Sequence, residues 1–569
     1  MNKSFIKYFL LFALLFFVSF KTLILNLSTH LIDWLDYPYY VWVTHQNIIH
    51  FKTLDFTNFF DTNAFYPYSN TLLLSDTLLP QSVINLFFSI FTSNPIAVFN
   101  MGFIATFFLN FIASYLFWKV LFKKQNLAFV GAILTVFSPY INFELSHFQM
   151  MSFWPMFISL YFLIKDEKRR DKKNLLFSGL FLAIQFLSSV YLAIFLTFII
   201  SVYLVVSAYF DKKLIPHLKS ALYIFGVFVI IDSVFIYKYF ETQKLFNIQR
   251  SYGEYVTYSS HISDYVFSNS YKSLLHSTSL INKWNSFNKN SSPAGFPGFL
   301  LSLGFILSLF AIHRSSNKLS VRLKFDRESL LFFIISISGL IFSFGPRANF
   351  NGNYAVIPMP YLLVMKAVPM LYIIRTPSRW SYIFYLALIY FFLRYFKHIQ
   401  RRLNHPKILL VLVTFWIFVE YLPLKISTHS EKYVKSQHIL LSSLCNKENK
   451  VLLEIPVTHL DAGNNIVEGL NYITKEVLAS THHNCRLVNG YGGYDLTSII
   501  QLKDDIALSL SMDRPDKFYS SVNKTGADLL LINWEVVLPE MKDELQTVTM
   551  ELIEKEKLSP IKGNLYSIN

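Results

Sequence analysis

The sequence predicts an α-helical polytopic membrane protein, with about eleven transmembrane helices and a C-terminal α/β domain. Three observations predict it. The 569 residues are 53% hydrophobic and 18% aromatic, and only 15% are charged, against about 25% in an ordinary soluble protein. Apolar runs long enough to cross a hydrocarbon core, which takes roughly 20 residues, recur along most of the chain. The lysines and arginines gather in short connectors between those runs.

The first run, residues 5–27, exceeds the apolar core of a signal peptide and is followed by no small-residue cleavage site, so it is read as a retained first span. Further spans are expected at 95–118, 126–140, 149–164, 174–189, 191–209, 219–239, 297–312, 329–345, 380–396 and 407–424. The stretch 81–92 is too short to span comfortably and suits the membrane interface.

Orientation follows from charge. The connectors 119–125, 165–173, 211–219, 313–327 and 394–407 hold 22 of the 51 lysines and arginines. Each falls where a model with the N-terminus inside puts a cytoplasmic loop, as the positive-inside rule requires. The net charge of +15 is therefore largely a topological signal, and nucleic acid is not implied. The same model puts residues 28–80, 240–296, 346–379 and everything after about 425 outside.

That last stretch alternates strand-like runs ("KVLLEIPV", "ADLLLINW", "NLYSIN") with helix-like ones ("LTSIIQLKDDIALSL", "PEMKDELQTVTMELIEK"), the pattern of a small exterior α/β domain over 425–569. The two cysteines, Cys445 and Cys485, both lie there, and a disulfide between them is open. Metal-ligand spacing is lacking, and there is no Gly-rich phosphate loop, internal repeat or low-complexity tract.

The first exterior loop, 28–80, carries Asp33, Asp36, Asp55, Asp61 and Asp76 against one base, Lys52. Asp33 and Asp36 stand where the first span leaves the membrane, and would share a face if its helix ran that far. A carboxylate there, among Trp34, Tyr37, Tyr39 and Tyr40, is placed to act as general base on a lipid-borne substrate. The bland alternative is an aromatic interfacial belt with solvating acids. The segment 346–379 shows the reverse pattern, with Arg347, Lys366, Arg375, Arg379 and no acid. Guanidinium groups bind phosphate in bidentate fashion, so a lipid phosphate or pyrophosphate would hold them outside, as would ordinary anionic head groups. "SPYINFELSHFQMMSFWP" adds Glu144, His147 and Gln149 between two spans, where polar groups line a cavity or serve structure. "SYGEYVTYSSHISDYVFSN", which contains Tyr265, has the tyrosine and serine content of a carbohydrate-contacting loop.

"DYPYYVWV", "DTNAFYPYSNTLLLSDTLLP", "TSNPIAVFN", "FSPYINFELSHFQMMSFWPM", "YVTYSSHISDYVFSN", "RTPSRW", "VLLEIPV" and "RLVNGYGGY" together resemble a family of bacterial polytopic membrane proteins related to GT-C-type glycosyltransferases, many of them uncharacterised. The resemblance runs from about residue 33 to 495. It implies a GT-C fold and a sugar arriving on a polyprenyl-phosphate carrier, for transfer to an extracytoplasmic glycan or protein acceptor in the cell envelope. It places the family's first acid on Asp36 and its second on Asp76, with Asp33 as a looser partner. The "DTNAFYP" motif supplies Asp61 and Tyr66. The sequence departs from the better-known enzymes in having no adjacent acid pair and no Asp-x-Asp in this loop. No cofactor is expected beyond the lipid-linked co-substrate; the sequence does not indicate a divalent metal and leaves open whether one assists. Arg347, Arg375 and Arg379 are then expected on the donor phosphate, with Asp61, Tyr66, His147, Gln149 and Tyr265 toward the cavity or substrate.

Two other classes compete. A flippase for lipid-linked oligosaccharide would carry charges near the bilayer midplane and repeated halves, but only Asp232 lies near the middle of an expected span and no half-repeat is visible. A non-catalytic surface protein would leave the acidic loop unexplained.

Overall fold

The computed structural model describes residues 3–165, 171–267, 273–286, 295–313, 326–350, 353–402, 406–423, 426, 428–430, 434 and 436–569. The centres of three basic connectors, 166–170, 314–325 and 403–405, lie outside the described residues. The chain forms two compact units, one of residues 1–25, 104–233 and 249–426, the other of 26–103, 234–248 and 427–569.

The first unit is a helical bundle. Each expected span falls on a helix, including Lys3–Leu25, Gln125–Val136, Trp154–Lys165, Lys172–Ser188, Val190–Asp211, Phe299–His313, Arg327–Ser343, Ser381–Gln400 and Pro406–Tyr421. Among the described residues five helical segments are long and apolar enough to cross a membrane: Lys3–Leu25, Pro95–Phe122, Gln125–Ser146, Val190–Asp211 and Ile215–Leu245. The protein is a membrane protein built mainly of helices.

Lipid supplies no hydrophobic drive between helices, so close packing and polar contacts must hold them together. Gly304 lies against Phe392, and Gly339 against Ile383, so a Cβ at either would meet the neighbouring side chain. The Ser308 hydroxyl donates to Phe391 O at 2.7 Å, and Ser159 and Ser178 pair at 3.0 Å. Phe332 stacks on Tyr390 with ring centroids 4.0 Å apart, and Phe12 on Phe111 at 4.2 Å. Between the helices Gln125–Val136 and Trp154–Lys165 the chain breaks into the short turns Pro139–Phe143, Glu144–Ser146 and Phe148–Met151. Pro139 and Pro155 both sit at helix starts, where a missing amide hydrogen does no harm.

The second unit joins residues 26–103 and 234–248 to the C-terminal residues 427–569. The first helix stops at Leu25, and a new one, Asp36–Thr53, begins at Asp36. Asp33 and Asp36 therefore do not share a helical face, contrary to the expectation from spacing. Asp33 precedes the helix and caps it, its carboxylate accepting from the amides of Leu35 at 3.0 Å and Asp36 at 2.7 Å. Backbone amides at a helix start need such an acceptor.

The helix Leu79–Phe88 covers much of the short apolar stretch 81–92 and is turned inside out. It buries Gln81, Ser82 and Asn85, while Val83 and Phe87, then Ile90 and Phe91, are exposed. Asn47 Nδ2 donates to Ser82 Oγ at 2.9 Å and so holds the polar side inward.

The C-terminal residues contribute a five-stranded sheet in the order Arg486–Leu487, Val451–Ile455, Leu529–Ile532, Leu565–Ile568, Leu558–Lys562. The first three strands are parallel and the last two form an antiparallel edge hairpin. Leu441, Leu452, Leu487, Leu529, Leu531 and Leu565 make the core on one side. Cys445 and Cys485 are disulfide-bonded within it.

The loop 54–78 docks on this sheet. Leu487 N donates to Asn63 O at 2.6 Å, Tyr66 N to Leu487 O at 2.8 Å, and Phe65 N to Asn489 O at 3.1 Å. Farther along, Gly493 N donates to Leu74 O at 2.9 Å. Residues 63–66 thus hydrogen-bond along the sheet's Arg486–Leu487 edge. The Asn63 side chain ties in the helix as well: its oxygen accepts from Trp42 Nε1 at 2.8 Å and Gln46 Nε2 at 3.0 Å, and its amide donates to Cys485 O at 3.1 Å.

Asn63→Ala would strand two buried donors, each worth about 1–3 kcal/mol when left unsatisfied. We expect it to lower the stability of this unit by about 2–4 kcal/mol, seen as faster proteolytic cleavage of loop 54–78. Unchanged cleavage would show that the loop is held by its backbone bonds alone.

Candidate functional site

Two clusters hold some of the candidate residues, one in each unit, and the others lie apart from them.

The acidic cluster belongs to the second unit. Asp36 is the first residue of its helix, half-buried, and its Oδ1 accepts the Tyr491 hydroxyl at 3.1 Å. The exposed amides of a helix start and a donating phenol are both partners for an anion. Pro38, in the first turn, removes no hydrogen bond that the helix needs. Tyr39, one turn on, packs edge-on against Tyr491 with ring centroids 5.1 Å apart. Its hydroxyl is pushed far above the ordinary tyrosine value, first by burial and then by the charges of Asp76 and Asp36, against the opposing hydrogen bond with Ser75. Tyr39 therefore lies within electrostatic reach of both carboxylates. Tyr239 donates to Ser75 O at 2.9 Å and closes the group beside Asp76. The arrangement is two acids with a neutral phenol within reach of both.

Asp61 and Tyr66 do a different job here. Asp61 Oδ1 accepts from Asn70 N at 2.6 Å and its carbonyl from His50 Nε2 at 3.0 Å, which fixes the loop's turn. Tyr66 lies under the Arg486 guanidinium, 4.6 Å from its ring centroid, at the sheet edge.

The basic cluster belongs to the first unit and is built around the helix Tyr252–Thr257. A cleft of about 360 Å³ is lined by Arg250, Tyr252, Tyr255, Leu362, Met365, Lys366 and Tyr372. Arg347 stacks over Tyr252 at 5.8 Å, on the same helix. Arg375 donates to the Tyr258 hydroxyl at 2.7 Å and lies 3.6 Å from Glu254, which also pairs with Arg250 at 3.3 Å. Cations, tyrosines and two aliphatic side chains thus share one opening, a combination suited to an anionic head on an apolar chain.

Arg379 does not join them. It is buried, and its Nη2 lies 3.2 Å from Glu144 Oε2, with Nε donating to Oε1 at 3.3 Å. His147 Nδ1 meets the same carboxylate at 3.0 Å, and the Tyr191 ring lies 4.8 Å under the guanidinium. The buried Gln149 lies two residues beyond His147. Tyr265 pairs with Ser343 in the helical bundle. Among the described residues no three His, Cys, Asp or Glu side chains are grouped to hold a metal ion.

The family model for the Domain of unknown function (DUF6311) matches residues 9–421. The chain belongs to that family. No curated protein sequence matches it. Among solved structures, the cryo-EM structure of the arabinofuranosyltransferase AftD from Mycobacteria is similar, with a TM-score of 0.55 at 9% identity, covering 92% of this chain. This chain spans 38% of AftD's length. The archaeal oligosaccharyltransferase AglB from Archaeoglobus fulgidus, solved with an inhibitory peptide and a dolichol-phosphate, has a TM-score of 0.50 at 11% identity, covering 93% of this chain and 69% of that one. At such identities the likeness shows the fold alone, and the fold of this chain is GT-C-like.

Sequence reasoning missed Tyr491, Ser75, Tyr239 and Arg250 as site members. Tyr491 was in view within "RLVNGYGGY", but nothing local says that this turn meets Asp36. Arg250 stands one residue before the tyrosine-rich stretch. The Glu144–Arg379 pair was signalled only by two lone charges 235 positions apart.

Removing one partner of a buried ion pair leaves an uncompensated charge, a loss of about 3–5 kcal/mol. Arg379→Met should therefore sharply lower the thermal stability of the purified protein, and Glu144→Gln in the same chain should restore most of it. A double variant as unstable as the single one would refute this account.

Proposed function

We propose that this chain is a membrane glycosyltransferase that moves a sugar from a polyprenyl-phosphate carrier to an extracytoplasmic acceptor. The observation that carries the reading is Asp36, a half-buried carboxylate at a helix start, held by the Tyr491 hydroxyl in a group that also contains Asp76. The GT-C-like fold supports it.

In the proposed reaction the acceptor hydroxyl oxygen attacks the anomeric carbon, and its proton passes to Asp36. The bond from that carbon to the carrier phosphate breaks, and its electron pair stays on the phosphate oxygen. One inverting displacement completes the transfer without a covalent enzyme intermediate. Asp76 is assigned to the same acidic group as a second acceptor-side carboxylate. Asp33 is assigned to holding the helix start. Arg375 and Arg347, with Arg250 and Lys366, are assigned to the phosphate, where a planar fork suits two oxygens at once. Arg379 is assigned to securing Glu144.

The reading takes the N-terminus as cytoplasmic, about eleven spans, and residues 425–569 as extracytoplasmic. The Cys445–Cys485 disulfide supports an oxidising compartment for that segment.

Asp36→Asn keeps the side chain's size but cannot take the proton. Transfer to acceptor should fall about 10²–10⁴-fold, with expression and melting temperature unchanged. Transfer at the wild-type rate would remove Asp36 as the base.

Binding of polyprenyl phosphate to the purified protein should weaken in both Arg375→Ala and Arg375→Lys, because an ammonium keeps the charge but loses the fork. Unchanged affinity in the alanine variant would place the donor phosphate elsewhere.

Both native cysteines are bonded, so an Asp171→Cys variant carries one free thiol. A membrane-impermeant maleimide should reach it only after permeabilisation. Labelling in intact cells would reverse the proposed orientation.

A further inference from the structure

The C-terminal sheet starts at Val451–Ile455, crosses to Arg486–Leu487 on one side, then returns to Leu529–Ile532 on the other. In an open parallel sheet this reversal leaves a crevice at the carboxyl ends of the two strands that flank it, and ligands bind there. Here those strands are Val451–Ile455 and Leu529–Ile532. A cavity of about 390 Å³ lies where the loops that follow them meet the helices Ile466–His483 and Pro539–Glu554. It is lined by His438, Tyr472, Lys475, Glu476, Glu535 and Lys542, with Gly463 and Asn464 from the first loop.

The chemistry of the wall selects the ligand. In phosphate-binding crevices of this type the loop amides after the first strand cradle the anion. In this chain the protein's own groups take most of those amides. Val457 N and Thr458 N donate to the Asp461 carboxylate at 2.8 and 2.7 Å, and Asn464 N donates to Glu468 Oε2 at 2.9 Å. Gly463 N donates to Val536 O at 2.7 Å. A phosphate would meet the carboxylates of Glu468, Glu476 and Glu535 where it needs donors. A cation would meet Lys475 and Lys542. The wall mixes donors and acceptors: Lys475, Lys542 and Asn471 with Glu468, Glu476 and Glu535, and the buried His438 beside Glu476 at 3.5 Å. Such a wall matches a neutral molecule carrying many hydroxyl groups, each both donor and acceptor.

We infer that this cavity is a binding site for a neutral glycan, separate from the acidic cluster at Asp36. The inference rests on the cavity's own walls. Under the transfer reading, which it deepens, the glycan held there belongs to the acceptor.

The test uses the full chain in lipid nanodiscs, free of sugar-based detergent. Saturation-transfer NMR would be recorded with neutral methyl hexopyranosides and methyl pentofuranosides, with inorganic phosphate as competitor. At least one neutral glycoside should bind and phosphate should not displace it. Glu535→Ala with Lys542→Ala, both at the cavity's rim, should weaken binding about tenfold or more while leaving the melting temperature unchanged. Asp36→Asn should bind as the wild type does, so a failed transfer assay and a failed binding assay remain distinct results. Absence of saturation transfer to every neutral glycoside, displacement by phosphate, or full binding by the double variant would each overturn the inference.

Discussion

Asn63 is the contact on which the second unit depends. One side chain satisfies Trp42 and Gln46 of the helix that starts at Asp36, and Cys485 at the edge of the sheet. Its own carbonyl begins the row of backbone bonds that pins the loop to Leu487 and Asn489. An amide can do this because it offers acceptor and donor at fixed separation, which neither aspartate nor leucine does. Segments more than 400 positions apart are thereby locked in one register. Gly490 sharpens the lock, because a Cβ there would strike the Phe65 ring at 2.6 Å.

The register matters because the acidic cluster is assembled from the same segments. Tyr491 stands two residues beyond Asn489 and donates to Asp36, and Gly493 bonds the chain to Leu74, one residue before Ser75. Docking the loop on the sheet therefore also sets the phenol on the carboxylate. Burial beside the two acids raises the Tyr39 hydroxyl, so that phenol keeps its proton, while Tyr491 donates to Asp36.

Charges in the first unit divide into two kinds. Glu144 and Arg379 are both buried and satisfy each other, a demanding arrangement that geometry must hold. Arg250 and Lys366 instead line an open cleft, Arg347 and Arg375 lie over the rings of Tyr252 and Tyr258, and Arg250 and Arg375 share the single carboxylate of Glu254. The motif "RTPSRW" splits between the two kinds. Arg375 and Arg379 are four apart, but Pro377 interrupts the backbone and sends them to different partners.

The sequence by itself determined the helices, because a run of apolar residues in lipid has no alternative to internal hydrogen bonding. It also determined three of the sheet's five strands and the acidic and basic loops, since period and charge are local properties. The helix Ile466–His483 is not among the expected elements, although Asn465 followed by Glu468 is a start signal; the polar segment 461–465 before it and Gly469 in its first turn read as loop. Only the tertiary structure decided that Asp33 caps and Asp36 presents, that Arg379 is spent on Glu144, and that Tyr491 completes the acidic group. Each of those outcomes depends on a partner far away in the chain, and no local pattern carries that information.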